Sequence, residues 1–198
     1  MRIGLLGPSD GDAATLREAI EFLLDDMEVD QAVYLGLDED TVDAVVRDWV
    51  GADPSDEAFL ADALEQARSG TPDTIEALLE RRELVEQLAK VRKLPTPPTR
   101  AVEMLADRIL LFVNDKSVLD EEDIANANLI AYGKSAASEL RRFGPRYFLT
   151  PGPLSKEQVA VVELEADGQV SLALFEISGV PVWRETMARR TSKVKLAR

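Results

Sequence analysis

The chain has 198 residues, with 23 Lys and Arg against 37 Asp and Glu for a net charge of −14, and it contains neither cysteine nor histidine. That length suits one domain burying roughly 70% of its unfolded surface, and the missing residue types exclude disulfides, thiolate nucleophiles, Cys-ligated zinc and imidazole acid–base chemistry. The negative surplus argues against nucleic acid and anionic membrane as partners. No stretch reaches the ~20 apolar residues that cross a bilayer, and the apolar start ahead of Asp10 and Asp12 is too short for a signal-peptide core, so the cytoplasm is the expected location.

In chain order, residues 3–6 form a short apolar strand that ends in the turn Gly7-Pro8-Ser9-Asp10-Gly11-Asp12. Leu16, Ala19, Ile20, Leu23, Leu24 and Met27 then mark one face of a helix. Residues 31–35 read as a second buried strand closed by Gly36, so the opening is strand, helix, strand, a unit whose functional loops lie at the C-terminal ends of parallel strands. A helix follows over 41–50. The stretch 53–94 reads as wholly helical in two pieces, the second opened by Thr71 as N-cap and Pro72 at the first helical position, until Pro95, Pro97 and Pro98 break it. Beyond this linker come a strand over 108–113, an acidic helix over 120–127, strands over 129–132 and 146–149, and two alternating runs over 158–165 and 169–177 joined by the hairpin signal Asp167-Gly168. Residues 180–187 supply a last antiparallel strand.

Charge is uneven. The first fifty residues hold thirteen acids and three bases, and residues 189–198 hold five bases and no acid. The latter read as a mobile basic tail, either solubilising or docking on an acidic surface such as this chain's own N-terminal half.

The order of residues 1–6, Val33-Tyr34-Leu35-Gly36, residues 109–113, Leu129-Ile130-Ala131-Tyr132-Gly133 and Phe148-Leu149-Thr150-Pro151-Gly152 with a closing hairpin resembles the small bacterial calcineurin-like metallophosphoesterases. The resemblance covers residues 1–40 and 105–187. It implies an α/β fold of two packed mixed β-sheets flanked by helices, an α/β/β/α sandwich, here as one domain over 1–188 carrying a helical insertion at about 53–94. Catalytic members of that family bind two divalent metals at strand ends and hydrolyse phosphoesters.

The same resemblance implies that this chain has lost the ligands. Its former metal-ligand positions are Pro8 and Asp10 in place of Asp-x-His, Leu37 in place of the bridging carboxylate, Asn114 in place of a histidine, and Lys134 and Ala136 in place of two more. Proline, leucine and alanine donate nothing to a metal, and an ammonium repels one. Lys134 reads either as a substitute charge in the vacated space or as an ordinary exposed lysine. Asp10, Asp12, Asp38, Asp40 and Asp115 follow the ends of three strands and could converge on a residual Mg²⁺ or Ca²⁺; the first two read more simply as caps of the helix behind them. A Lys134/Ser135 dyad is disfavoured because adjacent residues point apart.

Together these point to a catalytically inactive metallophosphoesterase-like scaffold with no cofactor and a protein partner, a second copy of the chain included. The family offers a precedent for docking in the small phosphoesterase-like subunit of the retromer coat. The alternatives are a phosphoesterase with a rebuilt carboxylate-only site and a small-ligand module using the former cleft, with Asn114 and Lys134 as polar contacts.

Overall fold

The apolar runs are buried on both faces, as strands covered from two sides must be. In a computed structural model that describes residues 1–188, β1 (Arg2–Leu6), α1 (Ala13–Glu21), β2 (Gln31–Tyr34), α2 (Glu39–Val50), α3 (Asp56–Ser69), α4 (Pro72–Leu88) and β3 (Val91–Lys93) come first. They are followed by β4 (Ala101–Leu105), β5 (Arg108–Val113), α5 (Glu121–Asn126), β6 (Leu129–Tyr132), β7 (Glu139–Phe143), β8 (Arg146–Thr150), β9 (Gln158–Leu164), β10 (Val170–Glu176) and β11 (Pro181–Thr186). One sheet runs β11-β10-β9-β1-β2-β3, the other β4-β5-β6-β8-β7. Both are mixed: β1, β2 and β3 are parallel, as are β5, β6 and β8, while the hairpin strands pair antiparallel.

Strand alternation assigns each side chain to a layer. Ile3 and Leu5, Val33 and Leu35, Leu110 and Phe112, Leu129 and Ala131, and Ala160 and Val162 meet between the sheets. Leu6, Ala32, Tyr34, Val159 and Val161 point the other way, under α1, α2 and the end of α4. On the far side Leu111 and Ile130 sit beneath Ile124 of α5. The result is the α/β/β/α sandwich. α1 closes in a π turn over Phe22–Asp26, which lets three successive residues, Phe22, Leu23 and Leu24, all turn inward.

Two expectations need correcting. Residues 53–94 are not helical throughout: α4 stops at Leu88, and Val91–Lys93 pairs with Ala32, Val33 and Tyr34 as the outer strand of its sheet. A three-residue charged edge strand with no Gly or Pro ahead of it carries no periodic signal of its own. The stretch also conceals its junction with the other sheet, because β4, like β7, was not foreseen; both are polar-faced outer strands. The Thr71 cap stands as expected, in a reciprocal pair with Thr74, and Ser55 caps α3. The basic stretch 189–198 lies outside the described residues.

The sheets are joined most tightly at the strand ends. A Cβ on Gly7 would lie 1.7 Å from the carbonyl oxygen of Gly152, and one on Gly133 would lie 2.2 Å from that of Leu35. Between these contacts the Asn114 side-chain amide donates to Leu35 O at 2.8 Å, and the Leu154 amide donates to Pro8 O at 2.9 Å. Gly133→Ala therefore forces backbone apart and is expected to cost about 1–3 kcal/mol in urea unfolding. A loss below roughly 0.5 kcal/mol, the range of a neutral surface change, would show that the strand ends are not locked.

Candidate functional site

The loops after β1, β2, β5, β6 and β8 open on one cleft of about 380 Å³, lined by Pro8, Asp10, Leu37, Asp38, Asn114, Lys134, Ser135 and Pro153. Five of the six positions singled out by the resemblance thus gather here. Ala136 does not line the cleft; it is exposed in the loop between β6 and β7.

At one wall Tyr34 passes beneath the first loop, its ring fully buried. Its hydroxyl donates to Asp38 and accepts from the Ser9 amide at 2.9 Å, while the Ser9 hydroxyl donates to Asp38 Oδ2 at 2.6 Å and the Gly11 amide donates to the same oxygen at 3.2 Å. Burial alone would raise the Asp38 pKa, but the hydrogen bonds from Ser9 and Tyr34 outweigh it and hold the carboxyl below its ordinary 3.8. The same carboxylate, after burial, keeps the Tyr34 phenol protonated well above its usual range. Tyr34 and Ser9 were legible only as a core residue and a loop residue; the four-residue step from Tyr34 to Asp38 across Gly36 is the signal that points to them.

At the opposite wall the Lys134 ammonium bonds Asp115 Oδ2 at 2.6 Å, and this contact, with the Ser117 amide, pulls the Asp115 carboxyl down to about 2. The lysine side chain is 71% exposed at the cleft, and its ammonium neutralises Asp115. Ser135 turns back on Ala137 O, so it forms no dyad with Lys134.

The five carboxylates do not form one ligand group. Asp12 caps α1 by accepting from the Ala14 and Thr15 amides, Asp40 lies in the first turn of α2, Asp38 is held by Ser9 and Tyr34, Asp115 lies outside the cleft lining and bonds Lys134, and Asp10 lines the cleft with φ of 52°. Asp10 is therefore no cap; only Asp12 takes that role. No group of three or more metal-ligating side chains occurs among the described residues. The donors do not fit a metal pair, which needs several nitrogen and carboxylate ligands around ions about 3.5–4 Å apart.

No family model matches the sequence, and no curated protein sequence matches it significantly. Solved structures do. Vps29 of Chaetomium thermophilum aligns over 100% of both chains with a TM-score of 0.57 and 11% identity. A conserved protein of Streptococcus pneumoniae, predicted to be a phosphoesterase, aligns over 95% of this chain and 97% of its own, with a TM-score of 0.55 and 16% identity. This is the calcineurin-like metallophosphoesterase fold. A third metallophosphoesterase-like neighbour, an archaeal phosphodiesterase, covers 88% of this chain and 100% of its own at 12% identity with a TM-score of 0.52. At such identities the likeness is one of fold, and the cleft lies at the strand ends where the resemblance sets the catalytic ligands of metallophosphoesterases.

Two titrations follow from the walls. Because folding lowers the Asp38 pKa, its contribution is complete above the unfolded value of 3.8 and is lost as the pH falls through the lower folded value. Asp38→Asn is expected to cost about 1–2 kcal/mol at neutral pH, and this gap narrows as the pH drops below 3.8; a gap independent of pH would rule out the charged hydrogen bonds as its source. In Lys134→Ala the Asp115 carboxyl should move up from about 2 toward its ordinary 3.8, read by carboxyl-carbon NMR titration, whereas an unmoved value would mean that the ammonium does not hold it.

Proposed function

We propose that this protein is a metallophosphoesterase-like scaffold without phosphoesterase activity, used for protein interaction or regulation. The observation that carries the reading is the cleft itself: Pro8 and Leu37 bring no donor to it, and Lys134 brings an ammonium engaged with Asp115. Asp10, Asp38 and Asn114, the potential ligands left in the lining, fall short of the set that two-metal hydrolysis needs, in which ions activate a water and clamp the transferred phosphoryl.

Two further features support interaction. α3 buries none of its residues and leaves Leu60 and Leu64 exposed, and α4 beside it exposes Ile75 and Leu79, an apolar set of the kind that marks contact surfaces. One fold neighbour is named for vacuolar protein sorting rather than for hydrolysis. No helix among the described residues is long and apolar enough to cross a membrane. The cleft volume of about 380 Å³ with Asn114 and Lys134 at its wall favours a second reading, a small-ligand module. The dispersal of the five aspartates opposes a rebuilt metal site.

The purified protein is expected to carry no stoichiometric transition metal and to show no manganese- or zinc-stimulated hydrolysis of a model phosphodiester. Elemental analysis finding about two ions per chain, together with metal-dependent turnover, would overturn the reading. Affinity capture from the source cells, with mass spectrometry of the proteins retained, tests the interaction half.

A further inference from the structure

In a chain with this surplus of acids, arginines find carboxylates readily: nine of the thirteen among the described residues lie within ion-pair distance of one. Of the four that do not, Arg47 and Arg68 stand on separate helices, but Arg142 and Arg146 face the same cleft of about 460 Å³ between the end of α5 and the β7–β8 hairpin. This cleft lies at the other end of β6, beside Asn128 rather than Lys134, and shares no lining residue with the site described above.

The two guanidinium groups are placed and under-used. Arg142 is steadied by its Nε donating to Gly144 O at 3.1 Å and by the Tyr147 ring, 5.6 Å from its guanidinium carbon. Arg146 donates one terminal nitrogen to Ala125 O at 3.1 Å, while its Nε–H is buried with no acceptor. A buried donor without a partner is costly, and the terminal nitrogens without a hydrogen bond among the described residues, Nη1 of Arg146 and both of Arg142, are those that can meet an incoming oxyanion. Arg108 lies deeper, occupied with Asp107 and with Ala188 O.

The geometry points to this cleft as a docking site for an acidic polypeptide segment, whose side-chain carboxylates take the forks of Arg142 and Arg146. This inference rests on the scaffold reading and names the kind of partner. Arginine forks match carboxylates in a bidentate manner. Phe143, outside the cleft lining, stands 72% exposed opposite Arg146 on the same face of the hairpin and offers a peptide an apolar contact that a free anion would not use. A nucleic acid would meet the same arginines but also the net charge of −14.

The test uses the full-length protein and a short fluorescein-labelled Glu/Asp-rich peptide with one central Leu, followed by fluorescence anisotropy. Saturable binding is expected, weakened at least about tenfold in the double variant Arg142→Ala/Arg146→Ala, weakened less by Phe143→Ser, and unchanged by Arg68→Ala. Should the double alanine variant fail to fold, Arg142→Lys/Arg146→Lys keeps the charge but loses the fork, and several-fold weaker binding is expected of it. The assignment is overturned by absence of binding to the wild type, by equal loss in Arg68→Ala, by displacement of the peptide with an equal concentration of inorganic phosphate, or by tighter binding of single-stranded DNA. A captured partner indifferent to the double variant would overturn this site and leave the scaffold reading standing. Metal-dependent turnover alongside Arg142-dependent peptide binding would do the reverse.

Discussion

Where the two sheets meet at their strand ends, backbone touches backbone. Gly7 against Gly152 and Gly133 against Leu35 leave no space for a single methyl group, and the Asn114 amide bridges the sheets at the same level. This closeness sets where the loops after β1, β2, β5, β6 and β8 can go, and hence that a cleft exists and which residues line it. In a protein interior packed as densely as an organic crystal, such a contact tolerates no gradual adjustment. It holds the loops in register through backbone contact and hydrogen bonds.

With position thus secured, the electrostatics of the cleft can be met locally. Carboxylates drawn together at strand ends repel one another unless a cation stands between them. Here they are kept apart and each is satisfied from within the chain: Asp38 by a phenol, a hydroxyl and an amide, Asp115 by an ammonium and an amide.

Most of the sandwich is readable from the chain because its central strands are buried twice over, so that Ile109 to Val113 or Leu129 to Tyr132 stand out as unbroken apolar runs, and Asp167-Gly168 announces the closing hairpin. The outer strands are not readable in this way. β3, β4 and β7 each have one neighbour and one open edge, and residues such as Arg92, Glu103 and Arg141 satisfy that edge without leaving a period to detect. In the site, the gathering of Pro8, Leu37, Asn114 and Lys134 follows from the order of the strands alone. The coupling of Ser9, Tyr34 and Asp38 does not, since it depends on how far one loop folds back over another. Nor does spacing tell Asp10 from Asp12: both precede α1, but the left-handed turn at Asp10 carries its carboxylate away from the helix.

The strand order of the larger sheet has a consequence for how the chain is made. β1 lies between β2, which follows it closely, and β9, which begins only at Gln158. While a ribosome is still delivering the intervening residues, one side of β1 therefore has no native partner, and the inner faces of Ile3 and Leu5 lack part of their cover. Domains finish folding only when their last essential element has emerged, and exposed strand edges invite pairing with the wrong chain in the interval. For this topology the interval lasts until residues 158–164 have emerged, and the first fifty residues, with thirteen acids and three bases, carry a net negative charge of the kind that opposes association of like copies.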